Sequence, residues 1–574
     1  MLDLVIRGAT IVDGTGAPAR LGDVGVADGR IVGVGEAGAV DGPARSTLDA
    51  EGLMVAPGFI DPHTHYDAQL FWDPTASPSN VHGITSIVAG NCGFTLAPLH
   101  AEDADYLRRM MAKVEGMPLA ALEQGVDWSW ESFADYLARL DGAIGVNAGF
   151  MVGHCALRRY VMGADAVGHE APPDQVDAMV RQLHQAIEAG GLGFSTTLSS
   201  THSDGDGQPV ASRHATPEEL LALCRAVGEH EGTFLEGAFE GGLDKFSDDE
   251  IDLVAAMSAA SGGRSINWNV LTVDSAVPDR VPRQLSAADV AAARGGKVVA
   301  LTMPVLVPMN MSFGTFCALH LIPGWGDVMR LPVEEKRAAL ADPEVRRRLA
   351  VQAQSEEAGV FRRLTDWAHY VIGDTYSAAN RGLAGRVVED IARERSLDAF
   401  DALVEIVAAD DFRTVLWPMP TDNDDASWAM RKEVWSDPRV MLGGSDAGAH
   451  LDRMCGATYT TRLLADCLRG RRLASLERAV QMLTEAPARL FGLRERGRIA
   501  EGYHADLVVF DPATVGADHA RLVADLPGGA ARLVAAAEGV TRVYVGGVAT
   551  VVDNQPTGAT PGRILRSGTD TATV

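Results

Sequence analysis

The feature that most limits what this chain can become is an alternation that runs through its middle. Short apolar runs of strand length are followed, again and again, by amphipathic stretches with helical spacing. Eight such runs stand at 58–63, 85–91, 146–153, 191–197, 233–238, 265–271, 297–303 and 439–445. Helices are predicted between them at 174–189, 217–230, 248–260 and 285–294. Strands that are apolar throughout, each followed by a helix, belong to a parallel sheet covered on both faces. Eight strand–helix units predict an α/β fold, a closed (β/α)8 barrel of the TIM type, over residues 57–480. The stretch at about 305–438, between the seventh and eighth runs, is too long for a bare loop and predicts a helical insertion.

The two ends of the chain have a different texture. Leu4-Val5-Ile6, Thr10-Ile11-Val12, Val24-Gly25-Val26 and Ile31-Val32-Gly33-Val34 are short β-branched runs, with turns such as Asp28-Gly29 between them. Near the other end, 506–510 and 540–545 read as strands, and Gly546-Gly547 supplies a tight turn. Segments 1–56 and 481–574 are therefore expected to pair into one small β-sandwich domain. The small polar residues 567–574 read as a loose tail.

Composition narrows the function. A chain of 574 residues, 47% of them hydrophobic, buries a large barrel and an accessory domain. Its formal net charge of −27 repels phosphate backbones and offers no basic patch to an anionic membrane. The opening Met1-Leu2-Asp3-Leu4 does not read as a signal peptide, and no apolar run approaches a membrane span. Six cysteines without a CxxC pair do not make a disulfide framework. These features predict a cytoplasmic protein with reduced thiols, bound to neither nucleic acid nor membrane; a homo-oligomer is compatible with them.

In a barrel the reactive side chains sit at the C-terminal ends of the strands. The first run ends in Asp61-Pro62-His63-Thr64-His65. Histidines at i and i+2 on a strand project to one face, so His63 and His65 can reach one metal ion. The second run ends in Gly90-Asn91-Cys92-Gly93. A lone cysteine is usually a small buried apolar residue. Cys92 stands apart because glycines flank it at a strand end, where a thiolate can ligate metal. The eighth run ends in Gly444-Ser445-Asp446, and a carboxylate there can contact metal and shuttle a proton. Glu236, ending the fifth run, is a candidate ligand or base. His154, His202, Asn269, His450 and Arg453 are candidate substrate-binding residues, each equally readable as a satisfied polar side chain.

With these residues in view the chain resembles the amidohydrolase superfamily, in its N-acyl-D-amino-acid deacylase (D-aminoacylase) branch. The resemblance covers nearly the whole chain. It rests on Leu4 to Gly16, on Pro57-Gly58-Phe59-Ile60-Asp61 leading into His63-Thr64-His65, and on Gly90-Asn91-Cys92-Gly93. Gly193-Phe194-Ser195-Thr196, Gly444-Ser445-Asp446, Gly497-Arg498-Ile499 and Gly502 to Leu507 complete it. It implies that the end segments form the β-sandwich that accompanies the barrel. It also implies that His63 and His65 belong to the first metal site, that Cys92 replaces a carbamylated lysine, and that Asp446 is the general base and acid.

The chain departs from the family pattern at two strand ends. Phe234-Leu235-Glu236-Gly237-Ala238 and Ile266-Asn267-Trp268-Asn269-Val270 lack the histidines that the pattern places after strands five and six, and the lysine beyond the second. One zinc ion is therefore favoured over two, held by His63, His65 and Asp446 with Cys92 or Glu236. The expected activity is metal-assisted hydrolysis of an amide C–N bond in a small acylated amine. The alternatives are hydrolysis of a cyclic amide, lactone or ester by the same chemistry, and an inactive, metal-poor scaffold.

Overall fold

A computed structural model describes residues 1–40, 42–315 and 317–574. The chain divides into two compact units, Met1–Val305 with Ala426–Val574, and Leu306–Asp425.

In the first unit, parallel strands occupy every one of the eight apolar runs: Phe59–Asp61, Ile84–Ala89, Asn147–Phe150 continued by Val152–Gly153, Gly193–Thr197, Phe234–Ala238, Ser265–Trp268, Lys297–Thr302 and Val440–Leu442. They hydrogen-bond in sequence order, each to the next, within two parallel sheets that part at Met151 in the third run. Ile84–Ala89, Gly193–Thr197 and Phe234–Ala238 are buried at every position, as strands covered on both faces are, and their polar members Ser195 and Glu236 are therefore buried too. Just past the first and last strands, Thr64 bridges Ala447 in parallel, and Asp446 N–H donates to the His63 carbonyl at 3.2 Å. That bridge sets the two strand ends beside each other.

The connecting helices begin where local chemistry tells them to. Thr216 caps Pro217–Gly228, its hydroxyl accepting the Glu219 N–H. Ser247 and Glu250 form a capping box at the head of Asp248–Ala260. The helix predicted from residue 285 starts earlier, at Arg280. Pro282 lies in its first turn, where no intrahelical N–H is needed, so the proline does not mark its boundary. The helical part also runs past residue 480. Leu476–Leu483 and Glu485–Leu490 are helices, and Ala488, Leu490 and Phe491 pack in one cluster with Ile60 and Val88 of the first two strands.

The ends of the chain share one nine-stranded sheet. Leu507–Phe510 pairs antiparallel with Met54–Pro57 on one side and with Val540–Val545 on the other. The two short runs predicted at 4–6 and 10–12 are one strand, Leu2–Ile11. Its register shifts between Ile6 and Ala9, where Gly8 takes φ +65°, so a bulge keeps both halves paired with Arg20–Ala27. The tail predicted to be loose is ordered. Ile564–Leu565 adds in parallel to Asn147–Phe150. Beyond it Thr571 is buried, its hydroxyl donating to the Gly232 carbonyl at 2.6 Å. Small polar residues suit a chain that lies against backbone acceptors, and composition does not reveal those acceptors.

The second unit is mainly helical, with its own core of Phe313, Trp325, Leu349, Tyr370, Phe400, Leu403 and Phe412. It ends at Asp425, short of the predicted 438. The helix Asp425–Val434 lies almost wholly in the first unit, where Ser427 Oγ accepts the Ser275 N–H. No helix among the described residues is long and apolar enough to cross a membrane.

Candidate metal centre

His63 and His65 leave the first strand on one face, and both turn Nε2 toward the same carboxylate oxygen. Asp446 Oδ1 lies 3.2 Å from His63 Nε2 and 3.5 Å from His65 Nε2. Cys92 Sγ lies 3.6 Å from His63 Nε2. The ligand atoms of His63, His65 and Cys92 fall within 4.8 Å of one another, and all three residues are buried. The backbone is bent to achieve this. Cys92 and Asp446 both hold left-handed φ, +55° each, a conformation that side chains rarely adopt. Gly90 and Gly444 make the bends feasible. A Cβ on Gly90 would stand 2.6 Å from the Met151 carbonyl oxygen, and one on Gly444 3.1 Å from Asn269 Oδ1.

The spacing fits a cation. In a tetrahedral zinc site, bonds of about 2.0–2.1 Å to nitrogen or oxygen and about 2.3 Å to sulfur set N and O ligands about 3.3 Å apart, and N and S ligands about 3.6 Å apart. The imidazole–carboxylate distances of 3.2 and 3.5 Å are long for charge-assisted hydrogen bonds, which run at about 2.7–2.9 Å. They suit groups facing each other across an ion.

The other imidazole nitrogens face buried carboxylates. His63 Nδ1 is 3.7 Å from Glu236 Oε1, and His65 Nδ1 is 3.6 Å from Glu115 Oε1. A carboxylate behind a ligating histidine orients the ring and raises its basicity. Glu236 was expected as a ligand or base. Its Oε1 faces His63 Nδ1 and lies 3.9 Å from Cys92 Sγ, and its Oε2 accepts the Cys92 N–H at 2.6 Å. Packing of the fifth strand beside the Cys92 loop decides this.

The sequence profile of the amidohydrolase family matches residues 46–557. The chain belongs to the amidohydrolase family. Its place is in the D-aminoacylase-like branch. D-aminoacylase of Alcaligenes xylosoxydans xylosoxydans is 30% identical over 571 residues, spanning 98% of this chain and 97% of that protein. N-acyl-D-aspartate deacylase of the same organism is 30% identical over 571 residues, spanning 99% and 95%. A D-aminoacylase structure, described by its binuclear metal centre with one-metal activation and second-metal attenuation, aligns with TM-score 0.64 at 28% identity over 99% of this chain and 100% of that one. N-acyl-D-glutamate deacylase from Bordetella bronchiseptica, solved with zinc and a phosphonate inhibitor, aligns with TM-score 0.64 at 27% identity over 99% and 100%.

The field in this amidohydrolase site is set by buried acids. Burial pushes Glu236 and Glu115 up to about 7, although His63 and His65 respectively oppose it. Burial alone would lower His65, but Glu115 and Asp446 raise it to about 9. Burial would raise Asp446, yet the two imidazoles hold it well below the usual carboxylate range. Burial, reinforced by Glu236, pushes the Cys92 thiol well up. A bound cation reverses that logic, because it takes the thiolate and the neutral imidazoles as ligands.

Several predicted substrate-binding residues surround Asp446. His450 Nε2 is 3.9 Å from Asp446 Oδ2, and burial followed by Arg453 pushes it down to about 3. His202 receives or donates a hydrogen bond at Thr197 Oγ1, 2.7 Å away, and burial pushes it down to about 4. Both rings are neutral at pH 7. Asn269 Nδ2 stands 3.5 Å from His63 Nε2. Arg453 faces Asp452 with its Nε, 3.6 Å from Oδ1, and packs its guanidinium against Gly116, next to Glu115. His154 is not available to a substrate. Its ring nitrogens are taken by Thr196 Oγ1 at 2.9 Å and Glu219 Oε1 at 2.8 Å, and Glu219 also receives Arg158. A buried arginine–glutamate pair anchors that histidine in the packing.

Three site residues escaped the sequence reading. Glu115 follows the helix Ala104–Val114, far along the chain from any strand end; only its neighbour Gly116, at φ +59°, hinted at a turn. Asp67 lies two residues past His65 and accepts the Gly90 N–H at 3.1 Å. Ser195 Oγ accepts the Gly93 N–H at 3.0 Å and donates to the Gly90 carbonyl at 2.5 Å, clamping the Cys92 loop.

Proposed function

We propose that this amidohydrolase cleaves the amide C–N bond of a small N-acyl amino acid, as its named relatives do, at one zinc ion held by His63, His65, Cys92 and Asp446. The observation that carries this reading is the convergence of His63 Nε2 and His65 Nε2 on Asp446 Oδ1, at 3.2 and 3.5 Å, with Cys92 Sγ 3.6 Å from His63 Nε2. One ion is favoured because the ends of the fifth and sixth strands lack the two histidines that would hold a second, and Glu236 is already engaged by the Cys92 N–H. The Asn267 amide is also engaged, donating to the Leu235 carbonyl.

We also propose that the parallel strands close as a (β/α)8 barrel. The Thr64–Ala447 bridge between the first and last strand ends supports closure. The sheet built from the two ends then corresponds to the accessory β-sandwich. A cytoplasmic location accords with six free cysteines and with a Cys92 that acts as thiolate.

Zinc bound there polarises a carbonyl and brings the pKa of a water toward about 7. Asp446 is the only one of the four ligand side chains with appreciable solvent access, 21% exposed against 0% for His63. Ionised at neutral pH, it accepts the proton of the attacking water and returns it to the leaving nitrogen. Neutral His202 and His450 offer ring N–H groups to the developing oxyanion. The guanidinium of Arg453 offers a partner to a substrate carboxylate.

Asp446→Asn tests the proton role. Turnover should fall by about 100-fold or more, while zinc per chain, measured by plasma emission, stays near that of the parent. Retained turnover sinks the role. A panel of N-acyl-D- and N-acyl-L-amino acids, cyclic amides, lactones and esters tests the substrate class. Preference for a ring would move the assignment to the cyclic substrates, and a metal-free purified protein inert to all of them would make the chain a scaffold.

A further inference from the structure

The metal centre occupies the C-terminal ends of the parallel strands. At their other end, Asn147 opens the third strand and lines a cavity of ≈ 260 Å³ with Asp28, Arg30, Arg496, His504, Asp506 and Arg563. These residues come from both ends of the chain, so the cavity lies where the end-built sheet meets the strand array.

Its polar groups are unevenly satisfied. Asp506 is saturated: Oδ1 accepts the Gly546 N–H at 2.8 Å, and Oδ2 accepts Asn147 Nδ2 at 3.1 Å and Arg496 Nη1. Arg30 is occupied by Glu495 and by the Gly502 carbonyl. Arg496 is 5% exposed and spends only Nη1 on Asp506; its Nε and Nη2 are buried without a partner. Those two donors form one edge of the guanidinium, the planar fork that matches two oxygens of a carboxylate or phosphate. Leaving charged donors of this kind unmade inside a protein is costly.

Of the three guanidinium groups in the wall, Arg30 is matched by Glu495 and Arg496 by Asp506; among the described residues no acid is paired with Arg563, and Asp28 is exposed at the rim. Burial, and next the charge of Arg496, pushes His504 down to about 4, so its ring is a neutral hydrogen-bonding group at pH 7. The volume lies below the about 300 Å³ at which pockets for drug-sized ligands begin, so the occupant is small.

We propose that this cavity binds a small oxyanion, a phosphate or a carboxylate, on the free edge of Arg496, with His504 and Arg563 closing around it. Because the wall draws on residues 28–30, 496–506, 545–548 and 561–563, the anion ties the two ends of the chain together and stabilises the folded state by mass action.

The test uses the full-length, zinc-loaded protein. Inorganic phosphate and acetate are titrated separately against chloride at matched ionic strength, read by calorimetry and by the thermal midpoint. Saturable binding is expected from at least one, with the midpoint rising as its concentration rises; the tighter of the two names the source. Arg563→Gln and His504→Gln should each weaken binding by about tenfold or more, with circular dichroism unchanged. Arg496→Lys, which keeps a cation beside Asp506 and removes the fork, should abolish it. Absence of saturable binding by both anions overturns the proposal. So does binding that Arg563→Gln and His504→Gln leave intact, since the anion would then sit elsewhere, the metal centre included.

Discussion

Each histidine of the proposed zinc site has a second nitrogen, and that nitrogen does as much to define the residue as the first. His63 and His65 each turn Nε2 to the common centre and Nδ1 to a buried carboxylate, Glu236 and Glu115. On the proposed ligand set, removing the charge behind one ring should weaken zinc binding. Glu236→Gln preserves an acceptor for the Cys92 N–H and deletes the negative charge. Zinc affinity, measured by competition with a chelator, is expected to drop by about 10–100-fold. An unchanged affinity would mean that Glu236 serves only to hold the Cys92 loop.

Among the elements, the bend after the second strand decides whether the thiol stands beside His63, where the proposed zinc would be held. Gly90 at φ +76°, Cys92 at φ +55° and Gly93 at φ +76° make three left-handed residues within four positions. The bend is fastened to the fourth strand by Ser195 and to the third by close approach of Gly90 to Met151. Gly90→Ala places a methyl group 2.6 Å from the Met151 carbonyl oxygen. It should cost about 1–3 kcal/mol in chemical denaturation and lower zinc retention, because the loop must move to relieve the contact. A variant with parent stability and parent zinc content would show the bend to be tolerant.

At the scale of the whole molecule, stability depends on groups remote from the site. His82 is fully buried, with Nδ1 at 2.7 Å from Thr461 Oγ1 and Nε2 at 3.1 Å from the Ala535 carbonyl. Burial lowers its pKa from 6.5 to about 4. The unfolded chain therefore takes up the proton first as pH falls. Above 6.5 the group contributes nothing to the pH dependence; between 6.5 and 4 it removes stability at up to about 1.4 kcal/mol per pH unit. His82→Gln should flatten that part of a stability–pH curve from urea unfolding, and an identical slope would refute the assignment. The C-terminal strand makes a second prediction. Deleting residues 564–574 removes buried Ile564, Leu565 and Thr571. It should destabilise the protein by about 3–6 kcal/mol, seen as a lowered denaturant midpoint; a loose tail would make no difference.

What the sequence determined by itself follows from short-range periodicity. Apolar runs and amphipathic stretches located all eight parallel strands, and spacing of two along a strand put His63 and His65 on one side, because side-chain direction there is set by the backbone. Strand-end position singled out Cys92 and Asp446 for the same reason. Tertiary structure alone decided which nitrogen of each ring meets which acid, why Glu236 stands behind His63, and that Glu115 belongs to the site. It alone satisfied both sides of His154 and ordered the tail, where Thr571 donates to the Gly232 carbonyl. Each of these is a contact between residues far apart in the chain, and no local pattern of residues encodes the distance between them.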